Sequence, residues 1–222
     1  MKKALLLMAL FAGSLLSANA QDADHLTAFV KLGETSAQKQ LSVRLKNAVE
    51  YTAFQMKLTL PTGLKFTGDA PVLSARKDAT HQVFCNKIDD QNMKVVVFSS
   101  DKIGAEETPT KGNLAFTDTK GELFLVNVTV TDEAYVAKDI AVSEVEFVKK
   151  ADLKGAELAV TAKGKLGDAD GNNSLTPYDA TCVLLDLVDS APTGYVKEAA
   201  DMDANENITP YDATLILLEL VK

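Results

Sequence analysis

The chain has no tryptophan, two histidines and two cysteines in 222 residues, and aromatics make up 6% of it. Without tryptophan, the rings most used to stack sugars are missing. Tyr51 and Tyr135 remain as aromatic candidates for glycan contact, and both are also placed to pack at strand ends. His25 and His81 give a histidine-based triad or a zinc site little to work with. Cys85 and Cys182 can form a disulfide in an oxidising compartment or stand as two isolated thiols, and sequence spacing does not choose between them. Carboxylate pairs are present at Asp89-Asp90 and Glu106-Glu107. Neighbours on a strand point to opposite faces, so these pairs read as solvated turn charge rather than the facing acids of a glycosidase. No catalytic constellation emerges, and an enzyme is not expected.

Long apolar runs are also scarce. The one that stands out follows Lys2 and Lys3, covers residues 4–16, and leads to Ala18-Asn19-Ala20. A charged start, an apolar middle and an A-x-A exit form the layout of a cleaved secretory signal over residues 1–20. The run is short for a bilayer span, and no cysteine follows it to carry a lipid. The expectation is a secreted protein, extracellular or else periplasmic or cell-surface associated, without membrane insertion.

Basic charge is lacking in one part only. Residues 21–163 are close to balanced, whereas residues 164–222 hold three basic and eleven acidic residues. Nucleic acid and anionic membranes need a basic surface, so neither is an expected partner. The asymmetry favours two domains, 21–162 and 163–222, with the acidic one suited to a cation.

The front region reads as strands. In "QLSVRLKN", Leu41, Val43 and Leu45 alternate with Ser42, Arg44 and Lys46, and "FQMKLTL" alternates Phe54, Met56, Leu58 and Leu60 with polar residues. Period two with turn residues between runs predicts about eight or nine half-buried strands. Strands without intervening helices make an antiparallel β-sandwich or jelly roll. The connector "KKADLKGAELAVTAKGK" is short and partly strand-like, which favours a fixed arrangement of the two domains.

The tail writes one unit twice: "GDADGNNSLTPYDATCVLLDLV" and, thirty-three residues on, "ADMDANENITPYDATLILLELV". Counting from Asp168, Asp170 is third, Asn172 fifth, Ser174 seventh, Thr176 ninth and Asp179 twelfth. Counting from Asp201, the same places hold Asp203, Asn205, Asn207, Thr209 and Asp212. Calcium takes about six to eight oxygens at roughly 2.3–2.6 Å, and a tight loop turns alternate residues inward to supply them. The seventh residue serves through its carbonyl, and the twelfth supplies a carboxylate as a helix begins. Two calcium ions are expected. Thr-Pro at each helix start gives a cap and a first-turn proline. Ala180, Val183, Leu184, Leu187 and Val188 then follow helical spacing, as do Ala213, Ile216, Leu217, Leu220 and Val221, so two apolar stripes can cover one another. Glycine is usual at the sixth position, but here it is Asn173 and Glu206. Glu tolerates a left-handed backbone poorly, which makes the second site the expected weaker one. Empty, each loop gathers three carboxylates whose pairwise repulsion is about 1–4 kcal/mol near 4 Å, so the tail is expected to loosen without the ion.

On these residues the tail resembles a type I dockerin. The resemblance implies a duplicated calcium-loop domain with two helices that plugs into a partner β-sandwich, the cohesin, in cellulosomes and related extracellular complexes. It also carries over the ligand positions named above. In the family, partner choice often sits at the tenth and eleventh loop positions, which places it at Pro177, Tyr178, Pro210 and Tyr211. The family usually has small hydroxyl residues there, which points to a partner class outside the best-known cellulosomes. The front region, through "LSVRLKNAVEYTAFQMKLTLPTGLKF", resembles a cohesin or cohesin-like sandwich, related in fold to carbohydrate-binding modules. The implied protein is a non-catalytic adaptor. Its partners would be a cohesin-type domain of another protein or of a second copy, and a dockerin for the front domain. The alternative is a carbohydrate-binding module recruited to a polysaccharide-degrading complex.

Overall fold

The computed structural model describes residues 23–35, 37–100, 102–103, 110–111 and 114–222. The expected signal segment and the Glu106-Glu107 pair lie outside the described residues. Among the described residues, no helix is long and apolar enough to cross a membrane.

Alternation in the sequence becomes two sheets. The first contains β1 (His25–Thr35), β2 (Gln38–Lys46), β4 (Leu64–Phe66), β10 (Glu122–Val130) and β13 (Ala159–Lys165), in the order β13-β1-β2-β10-β4, with β5 (Val72–Leu73) also on β10. The second contains β3 (Tyr51–Thr59), β6 (His81–Lys87), β7 (Asn92–Ser99), β11 (Ala141–Lys149) and β12 (Gly155–Ala156), in the order β12-β11-β3-β7-β6. β8 (Lys102–Ile103) and β9 (Thr110–Lys111) pair separately. The thirteen strands among the described residues exceed the eight or nine expected. The surplus is β4, β5, β8, β9 and β12, each two or three residues long and too short to show alternation. The pairing is antiparallel except between β1 and β13, which run parallel with His25 opposite Ala159. The connector that reads as strand-like forms β12 and β13.

The two sheets share one core. Phe54, Met56, Leu58 and Leu60 face inward, all nearly or fully buried. Phe54 stacks on Phe124 at 5.5 Å and on Phe147 at 5.2 Å, ring centre to ring centre, which ties the second sheet to β10 of the first. Each such side chain contributes about 1.5–3 kcal/mol by leaving water. Tyr51 and Tyr135 are buried in the same core, so neither offers a ring to a sugar.

β2 departs from its expected half-burial. Leu41, Val43 and Leu45 face the core as predicted, but Ser42 and Arg44 on the opposite face are buried too. Ser42 donates to Glu122 Oε2 at 2.8 Å, and Arg44 donates to the tail at Asp201. The tail covers this face, a contact between distant segments that strand periodicity does not encode. Phe29, Leu166 and Ala199 form a small apolar cluster across the same seam, and the chain enters the tail with Leu166 N–H donating to Val30 O at 2.9 Å.

The tail consists of α1 (Pro177–Asp186), the short α2 (Lys197–Ala200) and α3 (Pro210–Leu220). Its core is small: Ala169, Ala180, Cys182, Val183, Ala200, Ala213 and Ile216. Cys182 is buried there, Cys85 sits in β6, and both are free thiols. The two apolar stripes cover one another only in part. Ala180, Val183, Ala213 and Ile216 are buried, whereas Leu184, Leu187, Val188, Leu217 and Val221 are exposed. Helices this short pack against each other through their N-terminal part, so the C-terminal part of each stripe reaches solvent.

Candidate metal centre

Each loop is folded by its own carboxylates. Asp168 Oδ1 accepts from Asn172 N–H at 3.0 Å, and Oδ2 accepts from Asn173 N–H at 2.8 Å. Asp201 does the same with Asn205 at 3.1 Å and Glu206 at 3.0 Å. Asp170 and Asp203 each accept from the fifth residue's backbone at 3.1 Å. Asn172 and Asn205 in turn accept from the seventh residue, Ser174 and Asn207, at 2.7 Å. An acceptor chain of this kind curls the backbone so that alternate oxygens converge.

The twelfth residue has two tasks. Thr176 and Thr209 are extended N-caps, each accepting from the N–H two residues on at 3.2 Å. Asp179 Oδ2 accepts from Thr176 N–H at 2.8 Å and Asp212 Oδ2 from Thr209 N–H at 2.9 Å, completing a capping box at each helix. The other oxygen of each carboxylate reaches back into its loop. Asp179 Oδ1 takes Asp170 N–H at 3.1 Å, and Asp212 Oδ1 takes Met202 N–H at 3.0 Å. That last partner is third in one loop and second in the other, a small difference between two closely similar networks.

As a result, Asp168, Asp170 and Asp179 bring carboxylate oxygens within 4.8 Å of one another, and so do Asp201, Asp203 and Asp212. Asp168, Asp179, Asp201 and Asp212 are buried. Burial pushes Asp168 up to about 6, with Asn173 N–H holding it back and the Asp179 and Asp170 charges adding to the rise. Asp201 is raised by burial as well, partly offset by Glu206 N–H and Arg44. Buried anions this close together are costly without a counter-charge. The donors are hard oxygens without nitrogen or sulfur, the set that suits calcium or magnesium rather than zinc or copper. The residues therefore fit a hard divalent cation at each loop, held by the three carboxylates with Asn172 or Asn205 beside them. Ser174 and Asn207 lie at the seventh positions, where a backbone carbonyl would serve.

The expected partner-choosing residues are on the surface. Pro177, Tyr178, Pro210 and Tyr211 are exposed. They open two equivalent rows with helical spacing: Pro177, Thr181, Leu184 and Val188, and Pro210, Thr214, Leu217 and Val221, all exposed. The Asp89-Asp90 pair on the sandwich is exposed turn charge. Asp89 caps its own turn through Gln91 and Asn92, and Asp90 pairs with Lys65 and Lys87.

Sequence reasoning missed the residues that join the loops to the sandwich. Arg44 Nη1 donates to Asp201 O at 2.6 Å and lies 3.9 Å from Asp201 Oδ2. Lys46 pairs with Glu206 at 3.0 Å. Asn173 donates to Tyr135 O at 2.8 Å and accepts from Ala137 N–H at 3.0 Å. A signal was present in the non-glycine residues at both sixth positions. Also missed was an exposed ring pair on the second sheet, Phe84 and Phe98, stacked 5.5 Å apart.

No family model matches the chain, and no curated protein matches it. Among solved structures, the chain is similar to a non-cellulosomal cohesin from Archaeoglobus fulgidus, at 13% identity and TM-score 0.45, covering 64% of this chain and 88% of that one. It is similar to the second type II cohesin module of a cellulosomal adaptor scaffoldin from Acetivibrio cellulolyticus, at 14% identity and TM-score 0.48, covering 70% and 99%. It is also similar to a type I cohesin–dockerin complex from Clostridium thermocellum, at 19% identity and TM-score 0.42, covering 65% and 94%.

Proposed function

We propose that the chain is a secreted, non-catalytic adaptor for extracellular, polysaccharide-degrading assemblies. Its tail is a calcium-dependent plug for a cohesin-type domain, on another protein or on a second copy, and its front sandwich receives a dockerin. One observation carries this reading. Two loops thirty-three residues apart gather the same three carboxylates, and each runs through a capping box into a helix that leaves an apolar row in solvent. A cation in each loop fixes the start of each helix, and the helix start fixes Pro177-Tyr178 and Pro210-Tyr211. Metal uptake and partner binding are thereby joined. Because both repeats present the same row, either helix can meet the partner.

The test is capture of proteins from the native secretome on the immobilised chain lacking residues 1–20, in calcium and in excess chelator. Retention of a sandwich-containing partner in calcium alone supports the reading; retention that ignores the chelator overturns it.

A second reading has its own observation. Phe84 and Phe98 lie parallel and exposed on β6 and β7, and a flat ring pair suits the apolar face of a sugar. Glycan-array binding that is lost in Phe84→Ala would favour the carbohydrate-binding module over the dockerin receptor for this face.

A further inference from the structure

In each loop the sixth residue has a left-handed backbone, Asn173 at φ 70° and Glu206 at φ 61°. Glycine holds that conformation without strain, whereas other residues lose on the order of 1 kcal/mol there. Both loops forgo glycine, and in both the side chain reaches the sandwich. Asn173 bonds two backbone groups of the sandwich, Tyr135 O and Ala137 N–H. Glu206 pairs with Lys46 on β2. The backbone N–H of each of these residues is also the donor that holds the first carboxylate of its loop, Asp168 or Asp201. One peptide unit thus joins the sandwich to the cation cradle, once per loop, through unrelated chemistry.

We propose that Asn173 and Glu206, with Lys46 opposite Glu206, are positioning residues for the two metal sites, and that the sandwich acts as an intramolecular partner that raises the tail's calcium affinity. This rests on the reading of the loops as calcium sites and adds what regulates them. The coupling is reciprocal: docking onto the sandwich favours the ion, and the ion favours docking by the same factor. The two loops are served separately, the first through Asn173 and the second through Glu206.

The proposal makes a sign prediction that opposes simple expectation. Asn173→Gly relieves backbone strain and Lys46→Met removes a positive charge near an anionic site, so each substitution taken alone should tighten calcium binding. Positioning by the sandwich requires the reverse. Calorimetric titration of the chain lacking residues 1–20 with calcium chloride is the experiment. Asn173→Gly should weaken the first loop about three- to tenfold and leave the second unchanged. Lys46→Met should weaken the second loop by a similar factor and leave the first unchanged. Lys46→Arg, which keeps the ion pair, should match the unaltered chain. Hydrogen exchange at Ala137 N–H supplies a readout that does not depend on affinity: it should slow on adding calcium to the unaltered chain and remain fast in Asn173→Gly. Equal or tighter binding in both variants, with two ions still taken up by the unaltered chain, overturns the positioning role alone. Absence of calcium uptake by the unaltered chain overturns the calcium reading and this inference with it.

Discussion

Arg44 on the second strand reaches across the seam and donates to the backbone oxygen of Asp201 at 2.6 Å, with the Asp201 carboxylate 3.9 Å away. Both side chains are buried, and Arg44 also lies over the Phe29 ring at 5.8 Å. Burial lowers the Arg44 guanidinium from its usual range, and Asp201 and Glu122 draw it back up. The first residue of the second loop is therefore held by the sandwich before any cation arrives.

Removing that guanidinium leaves a buried carboxylate without its neighbour. Arg44→Met should destabilise the calcium-free chain by about 3 kcal/mol, within the range for breaking a buried pair. Denaturant unfolding in chelator measures it. Arg44→Lys should recover only part of the loss, because an ammonium cannot reproduce a guanidinium stacked on a ring.

Each loop should take one ion on its own account. Asp212→Ala is expected to reduce calorimetric stoichiometry from two ions to one and to cost α3 about 1 kcal/mol of capping, since the same carboxylate serves both tasks. Asp179→Ala should do likewise for the first loop. Added calcium should raise the melting temperature of the unaltered chain and raise it less in either variant.

The exposed helix rows should matter for partner binding and not for metal. Leu184→Asp together with Leu217→Asp is expected to abolish calcium-dependent capture, while calcium titration still reads two ions. Either substitution alone should have a small effect if the repeats are interchangeable. Capture assays beside calorimetry separate the two effects.

His81 gives the sandwich a pH dependence. It is buried against Phe116, ring centres 4.1 Å apart, and its Nδ1 accepts from Asp78 N–H at 2.9 Å. Burial lowers its pKa below the usual 6.5, with hydrogen bonding at Thr52 and the Asp78 charge opposing in part. A depressed folded-state value means that the unfolded chain binds the proton first. The contribution is complete above pH 6.5, declines as pH falls below that value, and levels off beneath the folded-state pKa. In His81→Phe that part of the slope should be lost, so the difference between the two stability–pH curves should show it alone.

The strands with inward apolar alternation were legible because burial there depends on local pattern: Phe54 to Leu60 read inward and lie inward. The convergence of Asp168, Asp170 and Asp179 follows from spacing inside twelve residues, which local turns enforce. What stayed hidden depends on segments far apart in the chain. Arg44 reads as an outward-facing cation in β2, and only the tail's return to that face buries it. Leu184 and Leu217 read as core residues because helical spacing counts apolar positions without knowing how short the facing helix is. Asn173 and Glu206 read as defects in a loop pattern because the pattern omits the surface they contact.

The first and last strands of the sandwich are bound side by side, with His25 opposite Ala159. A ribosome must therefore release the chain through β13 before that sheet can close, and closure brings together segments more than a hundred residues apart. Assembly should be slow for a domain of this size, as ladders between sequence-distant segments generally are. The first carboxylate loop begins three residues beyond β13, so its platform exists only once that ladder has closed.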